Sequence, residues 1–396
     1  MLLTKMLALI AALNVLVAGR AELIENLAIA LLTRKNLFVL GGIGQAKSYL
    51  ISLFFKCITG AKVFTRLLTK QTDEEALFGR IDLNSYIAGN PRMITTGKIP
   101  DADFAFLDEI WKSNEGILNS LLTATNERRY TNEGETIDIP VISFMSASNE
   151  IPNFKDPEQE ILRPLYDRFE IKIVTQDIES SQERLRILRL KKSKTGEQVT
   201  ENITLEELLA MQGEVAAVTV PDRIDELMDD ILCELRRRGI HVSDRKFLNY
   251  YPMAQAKAWL SGRNTIEPAD LTALKCYLWT KPEEISTIQQ VLERFCVNPV
   301  QERLKEIDQM AAESNADFKA NAGTKRITAL RKLRGELVRL HQMLIQVEAD
   351  AHDKNSKADV AKIVGNLEKM SRAAHEKYNL TYAPLPELAE LEGERT

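Results

Sequence analysis

The stretch Gly41-Gly42-Ile43-Gly44-Gln45-Ala46-Lys47-Ser48-Tyr49 sets a lysine and a serine behind a run of glycines at the spacing of a phosphate-cradling loop. Such a loop works by aiming successive backbone N–H groups, and the positive end of a helix dipole, at one anion. Gly41, Gly42 and Gly44 supply pliable backbone, Lys47 reaches outward to the distal phosphates, and Ser48 offers a hydroxyl to Mg2+. Ala46 stands where the usual pattern has its second glycine. A negative φ, expected of a first-turn residue, would make alanine inexpensive there. Taken alone, the stretch reads equally well as a strand–turn–helix junction that binds nothing.

Four further positions change that balance. Phe104-Ala105-Phe106-Leu107 is an apolar strand running into Asp108-Glu109, and acids at a strand's C-terminal end lie where open α/β sheets bind ligands. One carboxylate there suits Mg2+ held through water, and the next suits polarising an attacking water. Asn149 follows another apolar run and could orient that water, although an isolated Asn is also a common turn residue. Arg168 precedes a further strand and could steady transition-state charge in its own site or a neighbour's; its bland alternative is an ion pair with Asp167. In Ser243-Asp244-Arg245, Ser243 suits a helix cap, and Arg245 sits in the first turn against the dipole's preference, beside Lys246.

These residues need a scaffold. Residues 6–34 read as helix with a break near Gly19-Arg20. Apolar runs at 36–41, within "AKVFTRL", at 102–109, 139–148 and 169–175 read as buried strands, with helical patterns at 47–58 and 113–127 between some of them. Strands alternating with helices imply an α/β fold on a parallel sheet. The expected division is an α/β core over 1–178, then a helical domain over 179–295 with a polar linker at 191–203. Leu330, Leu333, Leu337, Leu340 and Leu344, and later Val360, Ile363, Leu367 and Met370, step by three and four. They predict an antiparallel helical hairpin within 296–383, to which 300–311 could add a helix, followed by a loose tail from Pro384.

Bulk composition adds limits. The 396 residues are 44% hydrophobic and 28% charged with a net charge of −5, so no overall basic footprint points to nucleic acid. The basic runs at 184–194 and 236–238 read as a solvated helix face and a helix end. Cys57, Cys233, Cys276 and Cys296 form no C-x-x-C pair; reduced thiols in a cytoplasmic protein are expected, with the first three buried in apolar segments. The apolar start is interrupted by Asn14 and too short to span a bilayer, so it reads as folded chain rather than a leader.

In this order the elements resemble an AAA+ ATPase of the MoxR family, close to its RavA branch, from about residue 17 to 290. The resemblance is carried by "FLDEIWKSNEGILNSLLTATNERRY" (106–130), "ASNEIP" (147–152), "LYDRF" (165–169) and "VSDRK" (242–246). It implies a P-loop core on a five-stranded sheet, a helical lid, ATP and Mg2+ as cofactors, and a homo-oligomeric ring, usually a hexamer, with ATP between subunits. By the same resemblance Gly41–Tyr49 is Walker A, Asp108 and Glu109 Walker B, Asn149 sensor 1, Arg168 the arginine finger, and Arg245 (or Lys246) sensor 2. Ala46 is usual in this family; the departure is Gly42-Ile43, where RavA-like loops carry two prolines. The stretches 79–100 and 126–140 match an insertion and a hairpin that usually face the ring pore or a client. The resemblance implies a chaperone-like role on protein complexes with a von Willebrand factor A-domain partner. A nucleic-acid motor related to MCM-type helicases and a non-hydrolysing, nucleotide-gated scaffold are the alternatives.

Overall fold

The computed structural model describes residues 1–388 except 18, 43, 90–91, 133–134, 179, 194–198, 298, 322–325, 351–353 and 379. The chain divides into two compact units, Met1–Leu292 and Glu293–Thr396.

The first unit is built on five parallel strands, β1 (Leu37–Gly41), β2 (Val63–Leu67), β3 (Phe104–Asp108), β4 (Ser143–Ser148) and β5 (Ile171–Thr175). They lie in the order β5-β1-β4-β3-β2. Strands β1 and β3 are near-continuous apolar runs, as strands covered on both faces tend to be, and β4 is buried throughout although three of its six residues are serines. Helices α1 (Leu2–Leu16) and α2 (Ala21–Thr33) precede the sheet, and α3 (Lys47–Lys56) leaves β1 through the glycine-rich loop. On one face, Phe38 packs edge-on against Trp111 and Tyr166 and tilts against Phe169.

Register decides the function of this sheet. Gly41 pairs with Thr175, Leu40 with both Val174 and Ser148, and Asp108 with Ala147 and Leu67. The loop, Asp108-Glu109 and Ser148-Asn149 therefore leave the sheet along one C-terminal edge. The two expected insertions form small antiparallel hairpins, Arg80–Ile81 with Met93–Ile94 and Arg129–Asn132 with Glu135–Asp138.

Beyond the sheet, α4 (Arg163–Arg168) leads into β5, and α5 (Ser181–Ser193), α6 (Leu205–Ala216) and α7 (Asp222–Arg237) follow. A capping box between Thr204 and Glu207 starts α6. The expected helical domain over 179–295 also contributes a short strand, Ile203–Thr204, which adds in parallel to Ile58–Thr59. Two helices follow, α8 (Asp244–Leu248) and α9 (Tyr251–Leu260), and Ser243 caps the first as expected.

Among the described residues, the second unit is a bundle of three helices, α10 (Pro299–Asn321), α11 (Arg326–Asp350) and α12 (Lys354–Glu376): the expected hairpin, with the added helix reaching well beyond the 300–311 stretch. Leu304, Ile307, Ala311 and Phe318 join the predicted leucine seam in one core. The tail also departs from expectation: Leu385 and Leu388 are buried in that core, while 389–396 lie outside the described residues. A proline at 384 opens a helical turn that sets these two leucines three apart on one side.

Candidate functional site

At the C-terminal edge of β1, Lys47 is 8% exposed and its Nζ donates to the carbonyls of Gly41 (2.5 Å) and Gly42 (2.8 Å) and to Asn149 Oδ1 (2.9 Å). Burial draws this ammonium below the ordinary lysine range, against the opposing pull of Glu109 and Asp108. Beside it, Ser48 Oγ donates to Asp108 Oδ2 at 2.7 Å. Glu109 accepts from Asn149 Nδ2 (3.0 Å) and Ser148 Oγ (3.2 Å), and pairs with Lys112 at 3.2 Å. Asn149 thus joins the loop lysine to the second acid through the two ends of one amide. Residues 47, 48, 108, 109 and 149 thus stand together at one edge of the sheet.

Backbone strain marks the same place. Glu109 has φ +54 and ψ +43, a left-handed conformation that side chains other than glycine's adopt at a cost. It is tied down by its N–H, which donates to Ala147 O (2.8 Å) and Asp108 Oδ1 (3.1 Å). Ala46 corrects the expectation for the loop: its φ is +60, not negative, so the missing glycine is felt in the backbone. Gly41 has no alternative, because a Cβ there would collide with Thr175 Oγ1 and Gln45 Oε1. Gly44, at φ +82, faces open space, and Tyr49 is exposed. Ile43 lies outside the described residues.

Gln45 is the residue of the loop that the sequence undersold. Its side chain accepts from Thr175 Oγ1 (2.7 Å) and donates to Asp177 (3.0 Å), and its carbonyl accepts from Arg20 Nε at 3.4 Å. Arg20, Thr175 and Asp177 in turn line a cleft of 710 Å3 that continues past Gly19, Ile178, Lys275 and Trp279. The loop therefore borders a cavity large enough for a nucleoside. Ser148, Lys112 and Arg20 carried no motif signal; only their adjacency to Asn149, Glu109 and the helix break at Gly19 hinted at them.

Two expected site residues stand elsewhere. Arg168 ends α4, and its carbonyl accepts from Asn36 Nδ2 at 3.0 Å, just before β1 begins. That places it at the N-terminal edge of the sheet, about 16 Å along the strands from the loop. Arg245 is exposed on α8. Lys246, its rival, is buried and donates to the carbonyls of Leu278 (3.1 Å) and Trp279 (3.0 Å). Its amine is committed to the fold, which leaves Arg245 as the cation free to turn outward.

Among the described residues, no cluster of three or more His, Cys, Asp and Glu is arranged to hold a metal. All four cysteines are free, and Cys233 is exposed on α7 rather than buried as expected. No helix among the described residues is long and apolar enough to cross a membrane.

Comparison with known proteins gives the family of the chain. Residues 4–213 match the family model described as the MoxR domain in the MoxR-vWA-beta-propeller ternary systems, and residues 223–292 match an AAA lid domain. The chain belongs to the MoxR family of AAA+ ATPases. It is 34% identical to the uncharacterized protein MJ0079 of Methanocaldococcus jannaschii over 69% of this chain and 70% of that one. A second protein of that organism, MJ0812, is 33% identical over 67% of this chain and 69% of its own length. Structural protein ORF618 of Acidianus two-tailed virus is 32% identical over 41% of this chain and 26% of its own. A solved protein of Cytophaga hutchinsonii, described as a candidate ATPase, shares the fold with a TM-score of 0.59 at 18% identity, covering 74% of this chain and 94% of that one. The lid match begins at α7 and runs to the end of the first unit.

Proposed function

We propose that this MoxR-family chain hydrolyses ATP and uses the cycle to remodel or activate protein complexes, working as a homo-oligomeric ring, a hexamer by family habit. The observation that carries the reading is the meeting of Lys47, Ser48, Asp108, Glu109 and Asn149 at one sheet edge. Lys47 now rests on its own loop's carbonyls, and phosphate oxygens would take their place. Ser48 and Asp108 fit Mg2+: they are hard oxygen donors one hydrogen bond apart, beside the lysine. The ion would supply charge neutralisation between phosphates. Glu109 is the base that takes the proton of the attacking water, and Asn149, bonded to both Glu109 and Lys47, aligns that water with the phosphate. Arg168 serves a neighbour's site, since it lies at the far edge of its own sheet, and Arg245 reports on the nucleotide from the lid.

The matched family is described from ternary systems with a vWA and a β-propeller component, which supports a von Willebrand factor A-domain partner acting with a protein client. Free thiols suit a reducing, cytoplasmic setting. Glu109→Gln is the direct test. It should bind ATP as tightly as wild type and release phosphate at least ~100-fold more slowly; unchanged turnover would remove Glu109 from its role and with it this reading.

A further inference from the structure

Helix α5 is anomalous in the first unit. Its thirteen residues carry five basic side chains and one acid, and none of its described side chains is buried. Glu183 and Ile187, on its inner side, are only half-buried. The outward side presents Leu185 and Leu188, 49% and 53% exposed, with Arg189 and Lys192 one turn further on. A helix of this length is marginal alone in water and normally owes its stability to an apolar face covered by something else.

The same unit carries a matching surface. Helix α7 buries Ile224, Met228, Ile231 and Leu235, and turns Asp222, Glu226, Asp229 and Cys233 outward in one line with Asp230 beside them. Glu226 and Asp229 are three residues apart on α7, as Arg189 and Lys192 are on α5, so two ion pairs can close together when the helices lie along each other.

We infer that α5 of one copy docks on the acidic line of α7 in a second copy of this chain, as one contact of the head-to-tail ring. The two surfaces are different patches, so the contact is heterologous and propagates until a ring closes. Opposite charge sets the register, and docking covers Leu185 and Leu188. The inference rests on the ring proposed above, yet the two can fail separately.

The test uses two full-length variants, Arg189→Glu/Lys192→Glu and Glu226→Lys/Asp229→Lys, with assembly read by analytical ultracentrifugation in ATP. Each variant alone sets like charges face to face and should stay at least tenfold more dissociated than wild type. Mixed one to one, each reversed patch meets its reversed complement, and rings of alternating subunits should return, which also shows that both variants fold. Rings formed by either variant alone, or a mixture that stays dissociated, would overturn the docking while leaving the ring standing. A wild type that never assembles would overturn both. Salt-dependent binding of a fluorescent single-stranded oligonucleotide, lost in the α5 variant while its rings persist, would assign α5 to nucleic acid instead.

Discussion

Gly42 shows how far a single residue's setting can be read. It stands where RavA-like loops have proline, its φ is not in the left-handed region, and its carbonyl holds Lys47 Nζ at 2.8 Å. A Cβ at this position meets only the flexible end of Gln45, at 3.3 Å from Nε2. Gly42→Pro should therefore stiffen the empty loop and tighten nucleotide binding about two- to fivefold, read by titration of a fluorescent ATP analogue; weaker binding would mean the loop must move to admit phosphate. Lys246 offers a second residue-scale prediction. Burial holds it down to about 8, so the folded chain gives up this proton at lower pH than the unfolded chain does. Above pH 8, until the ordinary lysine value is reached, the unfolded state binds more protons and folding gains stability as pH rises. Lys246→Met abolishes that gain, so paired urea titrations from pH 7 to about 9.5 should swing in wild type's favour, and parallel curves would refute the shift. The gathering of 47, 48, 108, 109 and 149 at one sheet edge was legible because each follows the end of an apolar run. The left-handed backbone of Ala46 was not, since it depends on how the loop folds back over Lys47.

At the scale of elements, legibility followed the strength of the hydrophobic pattern. The strands stood out because apolar runs ending in glycine or carboxylate have few other uses, and α11 and α12 stood out through their leucine seam. Helix α10 was seen only in part: its core contacts at 304, 307, 311 and 318 are diluted by an alanine and by the polar residues between them. No periodicity could have announced the joint between sheet and lid, where single hydrogen bonds join the packing of buried Tyr277, Leu278 and Trp279. Tyr166 OH donates to Thr280 O at 2.8 Å, and Trp279 Nε1 donates to Lys172 O at 3.0 Å. Tyr166→Phe keeps the ring that packs on Phe38 and strands the Thr280 carbonyl. It should lower unfolding stability by about 1–2 kcal/mol with an unchanged denaturant slope; no loss would show that the carbonyl finds water instead.

For the whole molecule, the separation of Arg168 from the glycine-rich loop is the decisive geometry. One chain carries the cradle at the C-terminal edge of its sheet and this arginine at the N-terminal edge, where Asn36 fixes its carbonyl. Arg168→Ala and Glu109→Gln should each be nearly inactive alone. Mixed, they should recover phosphate release, because some sites then combine an intact Glu109 with a neighbour's intact Arg168. No recovery under conditions where mixed rings form would place Arg168 outside the reaction. In the proposed ring the same separation would make concentration a control variable. A solitary copy would hold nucleotide yet lack the neighbour's arginine that helps consume it, so dilution would store the fuel and crowding ignite it. Any partner that gathers copies at one spot would then set the timing of hydrolysis without ever touching the nucleotide.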